Sequence, residues 1–236
     1  MMQQPRTGYR AATDPVFLAA AISARPHDTV LELGCGAGVA LACLLTRINV
    51  QATGLELQPH YAKLARHNMY RNGLEADIVE GDLAHMPPEL RAQSFDHVML
   101  NPPFYPPERH SAPTDSGKAT AFLEGREGVD RWIEIGLKRL KPQGWITIIH
   151  RAERLHNILG ALGKAGDIRI LPLSPRVHRN AGRVIVQARK GAAGPLQLLA
   201  PLIIHDGESH GHDGDDFSPQ AREILRDGKA LVMSGR

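Results

Sequence analysis

Short apolar runs alternate with helix-length amphipathic stretches along the 236-residue chain. Thr29–Leu33 (TVLEL), Gln51–Leu57, Asp77–Glu80, Phe95–Leu100 (FDHVML), Trp145–His150, Ile168–Leu173 and Arg183–Arg189 have the length and side-chain character of strands. Val39–Arg47 predicts a helix after the first strand. Pro59 starts another, carrying Tyr61, Leu64, Ala65 and Met69 and stopped by Asn72-Gly73. Trp132, Ile135, Leu137 and Leu140 line a helix ending before Pro142-Gln143-Gly144, and Arg151–Gly163 predicts the next. One further helix opens the chain, with Asp14 placed as cap and Pro15 at its first position ahead of VFLAAAIS. Seven strands alternating with helices predict an α/β fold, a mostly parallel sheet covered on both faces. Residues 1–190 read as one domain. Residues 191–236 read as a C-terminal extension packed on it or trailing from it, with Gly191–Gly194 as a candidate hinge.

Hydrophobic residues make up 42% of the chain, enough for a sizeable core. No apolar run approaches the roughly 18 residues a membrane span needs, and MMQQPRTGYR has no apolar signal core. Two cysteines, Cys35 and Cys43, are too few for a disulfide framework, so reduced thiols and a cytoplasmic setting are expected. The net charge of +3 is unevenly spread. Arg151 to Lys190 holds nine Lys/Arg against two acids, and His205 to Asp227 holds seven acids against two arginines. A basic surface on one side could attract a polyanion.

The sharpest local signal is Glu32-Leu33-Gly34-Cys35-Gly36-Ala37-Gly38, where a predicted strand meets a helix. Glycines there let the backbone approach a ligand closely. The spacing departs from the G-x-G-x-x-G of pyrophosphate sites, and Glu32 would repel a diphosphate but welcome a cation. This E-x-G-x-G-x-G pattern resembles the first motif of class I S-adenosylmethionine-dependent methyltransferases. That resemblance implies a Rossmann-like, seven-stranded sheet with its last strand antiparallel, and S-adenosylmethionine as cofactor. It also implies that Glu56 and Leu57, ending the second strand, meet the ribose, and that Asp82 and Leu83, after the third, meet the adenine. Glu32, Gly34, Cys35, Gly36 and Gly38 would bind the cofactor as well.

Asn101-Pro102-Pro103-Phe104 follows the fourth strand. Two prolines stiffen the chain as it leaves the sheet and remove backbone donors. The tetrapeptide resembles the N-P-P-[FYW] motif of amine methyltransferases, in which the Asn oxygen and the first Pro carbonyl accept the two N–H bonds of the target amine. Such acceptors suit an amine whose lone pair is delocalised into a π system, because they localise it and stabilise charge growing on nitrogen. Asn101 would also touch the cofactor. Phe104 would stack on the acceptor base, with Tyr105 beside it.

Gly8-Tyr9-Arg10 with Thr13-Asp14, His150-Arg151-Ala152-Glu153-Arg154-Leu155, Ala188-Arg189-Lys190-Gly191 and Pro201-Leu202-Ile203-Ile204-His205 resemble segments of the valine-tRNA adenine-N6 methyltransferase group. In that group the N-terminal segment folds over the cofactor, which makes Tyr9, Arg10 and Asp14 further candidates. The resemblance implies adenine N6 of tRNA as acceptor. Guanine N2 of rRNA, the N5 of a protein glutamine, or a binding module without turnover remain as alternatives. Arg151, Arg154, Arg176, Arg179 and Arg183 are the candidate phosphate contacts. His205, His210, His212 and Asp213 could be read as metal ligands, but a solvated tail fits better, so no metal is expected. An RNA partner, no membrane, and room for a homodimer complete the expectations.

Overall fold

The computed structural model describes residues 1–8, 10–103, 128–207 and 216–233. In chain order these form α1 (Asp14–Ala21), β1 (Thr29–Leu33), α2 (Val39–Arg47), β2 (Gln51–Glu56), α3 (Pro59–Arg71), β3 (Ala76–Glu80), α4 (Pro88–Arg91), β4 (Phe95–Leu100), α5 (Gly128–Arg139), β5 (Leu140–Arg151), a 3-10 turn (Ala152–Arg154), α6 (Leu155–Leu162), β6 (Gly166–Ser174), β7 (Arg183–Arg189), β8 (Gln197–Leu198), β9 (Leu202–Ile203) and α7 (Pro219–Asp227). The sheet order is β3-β2-β1-β4-β5-β7-β6-β8, with β9 also on β6. Among the described strands only β7 runs against its neighbours, β5 and β6. The mostly parallel, Rossmann-like sheet is therefore as expected.

Several details depart from the sequence reading. Asp14 is the first residue of α1 and not its cap, a place taken by Thr13. Leu140 and Pro142-Gln143-Gly144 belong to β5 and not to the end of the preceding helix. Among the described residues the sheet has nine strands rather than seven, because β8 and β9 add two-residue pairings to β6 from beyond Gly194. β2 ends at Glu56, leaving Leu57 37% exposed past the strand. Residues 151–163 split into the 3-10 turn and α6 instead of one helix.

Gly191–Gly194 is no free hinge, since the Gly194 carbonyl accepts from Asp167 N–H at 3.1 Å. The chain beyond it returns to the core: Leu231 N–H donates to the Ala20 carbonyl at 2.8 Å, and Leu231 and Met233 are buried.

Two apolar layers sandwich the sheet. One holds α1, α2, α3 and the C-terminal segment; the other holds α4, α5 and α6. α1 is buried on nearly every side, at Pro15, Phe17, Leu18, Ala19, Ala20 and Ala21. That explains why its sequence shows no amphipathic stripe. Its C-terminal carbonyls are capped from outside, as Arg47 donates to Ala19 O at 2.9 Å and Ile22 O at 2.7 Å.

Candidate active site

The strand order reverses between β1 and β4, and the crevice beyond the carboxyl ends of these strands is where open α/β sheets bind ligands. The register brings the expected residues to that edge. Leu33 sits opposite Leu55 and Leu100, and Glu56 opposite Glu80. The glycine loop, Leu57, Gly81-Asp82 and Asn101 thus leave the sheet side by side.

The loop from Leu33 into α2 needs its glycines. Gly34, Gly36 and Gly38 have φ of 69°, 54° and 78°, a left-handed region costly for other residues. At Gly34 a Cβ would lie 2.7 Å from the Trp132 ring, and at Gly38 2.7 Å from Met69 Cε. Gly34 and Cys35 N–H groups both donate to the Leu55 carbonyl, at 2.8 and 3.0 Å, tying the loop to β2.

Sequence reasoning missed Gly54, which stands opposite Glu32 in the register. A Cβ there would lie 2.8 Å from both Cys35 Sγ and Leu41 Cδ1. An isolated glycine inside a strand was the available signal, since it marks a close approach.

Glu32 is 3% exposed, and its Oε2 has no hydrogen-bond partner among the described residues. Burial pushes its carboxyl well above the usual range; a backbone hydrogen bond from Leu41 opposes the shift and the Glu56 charge adds to it. Glu56 Oε2 accepts from Gly36 N–H at 2.7 Å and its Oε1 from Gln58 N–H at 2.9 Å. Burial raises Glu56 as well, against those two bonds. Each carboxylate oxygen keeps a second lone pair, so Glu56 can still accept from a diol. Asp82 caps its own turn, accepting from Ala84 N–H at 2.8 Å and facing His85 Nδ1 at 3.0 Å. The His85 bond holds it below its ordinary value. Leu83 packs against the second core layer.

A pocket at this edge is lined by Gln4, Ala11, Pro15, Glu32, the glycine loop, Val39, Ala40 and Asn101, whose Oδ1 is buried. Among the described residues no lysine, arginine or histidine lines it. Glycine backbone on one side and an unsatisfied buried carboxylate on the other fit the cationic end of S-adenosylmethionine.

A profile of the methyltransferase domain matches residues 30–113. A putative protein N5-glutamine methyltransferase of Methanocaldococcus jannaschii is 30% identical over 145 residues, spanning 60% of this chain and 71% of that protein. The chain belongs to the class I S-adenosylmethionine-dependent methyltransferases. The tRNA1(Val) (adenine(37)-N6)-methyltransferase of Shewanella amazonensis is 29% identical to this methyltransferase over 212 residues, or 87% and 83% of the two chains. A crystal structure of a predicted O-methyltransferase from Agrobacterium tumefaciens shares the fold, with TM-score 0.74, 24% identity, and coverage of 93% of this chain and 98% of that one. The cofactor of the methyltransferase is S-adenosylmethionine, and its electrophilic group is a methyl on a sulfonium.

The remaining candidates fall into three groups. Phe104, Tyr105, Tyr9, His210, His212 and Asp213 lie outside the described residues. Asp14 and Arg183 find each other, with Arg183 Nε donating to Asp14 Oδ2 at 3.0 Å and tying α1 to β7. The basic stretch divides between two edges. Because β7 runs against β5, Arg183 lies opposite Arg151 at the carboxyl edge of the parallel strands, and the β6–β7 loop bearing Arg176 and Arg179 ends there too. Arg169, Arg189 and Lys190 sit at the far edge, where the two arginines flank the Trp145 ring at 4.7 and 5.7 Å. Strand direction thus separates basic residues that are neighbours in sequence, while the arginines expected to meet phosphates stay at one edge.

Arg176 is 13% exposed and bonded to Asp216 and the Asp206 carbonyl, joining the basic and acidic stretches. His205 Nδ1 faces Asp216 Oδ1 at 2.6 Å, and its ring stacks on Phe217. Among the described residues no group of three His, Cys, Asp or Glu is arranged for a metal, and no helix is long and apolar enough to cross a membrane.

Proposed function

We propose that the enzyme methylates the exocyclic N6 amine of an adenine in tRNA. The observation that carries this reading is a juxtaposition. Asn101-Pro102 leaves β4 against the cofactor pocket, and Arg151, Arg154, Arg179 and Arg183 gather at the same sheet edge. The corner supplies carbonyl acceptors for an NH2 group, and the arginines supply charge for a phosphate backbone.

The chain's own residues do most of the chemistry's positioning. Asn101 Oδ1 and the Pro102 carbonyl accept the two amine N–H bonds, which turns the nitrogen lone pair out of the ring plane. The same acceptors stabilise the positive charge that grows on nitrogen as the methyl arrives. Fixing nitrogen, methyl carbon and sulfur in line supplies the remaining rate enhancement. No strong general base is required, because the methylated ammonium is acidic. A stacked adenine must first turn out of its helix or loop.

The relatives that cover most of the chain support the tRNA reading: the Porphyromonas gingivalis and Vibrio campbellii proteins named as tRNA1(Val) (adenine(37)-N6)-methyltransferases align over 86% and 92% of it. The Methanocaldococcus relative named for glutamine N5 supports a second reading, since a side-chain amide presents the same planar NH2.

One experiment separates them. Total tRNA, rRNA and release-factor protein are incubated with isotope-labelled cofactor, then digested and analysed by mass spectrometry. Label in N6-methyladenosine from tRNA supports the first reading. Label confined to N2-methylguanosine or to glutamine overturns it.

A further inference from the structure

Two buried oxygen atoms in the cofactor pocket lack any donor among the described residues: Glu32 Oε2 and Gln4 Oε1. A buried acceptor left unsatisfied is costly, so each needs an account. We propose that Gln4 is a cofactor-binding residue. Its amide oxygen and the Glu32 carboxylate together accept N–H bonds from the ammonium group of the cofactor's methionine tail, and residues 1–8 are a strap whose seating completes the pocket.

Three observations converge on this assignment. First, the amide is oriented from its other end, because Gln4 Nε2 donates to the Ala11 carbonyl at 3.2 Å. The oxygen is thereby left as the inward-facing acceptor. Second, the strap is pinned. Gln3 N–H donates to Asn68 Oδ1 at 2.8 Å, and Asn68 Nδ2 donates back to Gln3 O at 2.9 Å. The same Nδ2 reaches the Ala37 carbonyl of the glycine loop at 3.0 Å. One fully buried side chain on α3 therefore fixes strap and loop relative to each other. Third, the ligand chemistry matches. An ammonium brings three N–H donors and a positive charge to a pocket that has two unsatisfied acceptors and, among the described residues, no basic side chain. The inference concerns the donor end of the site, so it holds whichever acceptor the enzyme uses.

The test uses the full chain and two probes. S-Adenosylhomocysteine carries the ammonium; methylthioadenosine has the same nucleoside and thioether without the amino acid. Gln4→Met keeps the side-chain length and removes the oxygen. Because hydrogen bonds to charged groups are the stronger ones, it should weaken S-adenosylhomocysteine binding in calorimetry about tenfold or more. It should leave methylthioadenosine affinity within about twofold. Gln4→Glu, which keeps an acceptor, should bind S-adenosylhomocysteine well. In the unmodified protein, amide hydrogen exchange at Gln3 and Gln4 should slow with S-adenosylhomocysteine and not with methylthioadenosine, and this comparison decides alone should Gln4→Met fold poorly. Equal losses for both probes, an unchanged affinity for S-adenosylhomocysteine, or exchange that ignores the difference between probes would overturn the assignment.

Discussion

Replacing Gly54 by alanine adds one methyl group where β2 passes beneath the glycine loop. That carbon would sit 2.8 Å from Cys35 Sγ and from Leu41 Cδ1, and 3.1 Å from Cys35 Cβ. Unstrained carbon contacts lie near 3.5–4.0 Å, so the overlap approaches an ångström on two sides. Leu41 is fully buried and Cys35 only 5% exposed, which leaves neither much room to retreat. Overpacking of this kind costs about 1–3 kcal/mol, or a fall of about 2–9 °C in melting temperature for a chain of this size. The cofactor should suffer too, because Cys35 carries the loop whose Gly36 N–H bonds Glu56. Thermal unfolding and S-adenosylhomocysteine calorimetry on Gly54→Ala read both effects. Cys35→Ala in the same chain removes the sulfur from the clash, so the double variant should recover about 1 kcal/mol relative to additivity. A single variant as stable as the parent, or a double-mutant cycle with no coupling, would refute the packing argument.

Three further outcomes are expected. Asn101→Ala should lose turnover by about a hundredfold or more, a far larger effect than any on cofactor affinity; near-normal turnover would end the proposed role of the corner. Arg179→Ala with Arg154→Ala should weaken tRNA binding and lower the slope of log affinity against log salt by about two; an unchanged slope would move the RNA site off this edge. Asp96→Asn tests pH dependence. Burial alone would raise Asp96, but Lys141 Nζ at 2.8 Å and Thr29 N–H and Oγ1 at 2.9 and 2.7 Å outweigh it and hold the carboxyl at about 2, against 3.8 ordinarily. A depressed folded-state value stabilises above pH 3.8 and loses that contribution as pH falls towards 2. After discounting for partial exposure, the variant should be about 1–2 kcal/mol less stable at neutral pH, with the gap closing below about pH 3. Denaturant midpoints across that range check it, and a pH-independent gap would contradict it.

Much of the site was legible because its chemistry is local in sequence. A strand end, its glycines and its carboxylate travel together, so Glu32, Gly36 and Glu56 could be placed before any coordinates. What escaped was set by tertiary packing. Trp132 reads as one more apolar residue on a helix, and only the fold brings its ring against Gly34. Two-residue strands such as β8 show no alternation to detect, and both their residues are exposed. α7 was readable in hindsight. Ser218 caps it through a bond from Ala221 N–H at 3.2 Å, Pro219 opens it and Gly228 closes it in a left-handed conformation. The division of the arginines between two edges depends on strand direction, which charge counting along a sequence does not contain.

The burial of α1 bears on biosynthesis. Its apolar turns leave the ribosome well before the backbone of Leu231 that meets Ala20 and the α7 side chains Ala221 and Ile224 in the same layer. A nascent chain must therefore carry an uncovered, sticky helix until those distant segments have been made, a span in which chaperones have the most to shield. A stop just before Phe217 would leave the glycine loop and the Asn101-Pro102 corner in the sequence and still yield a protein prone to clump.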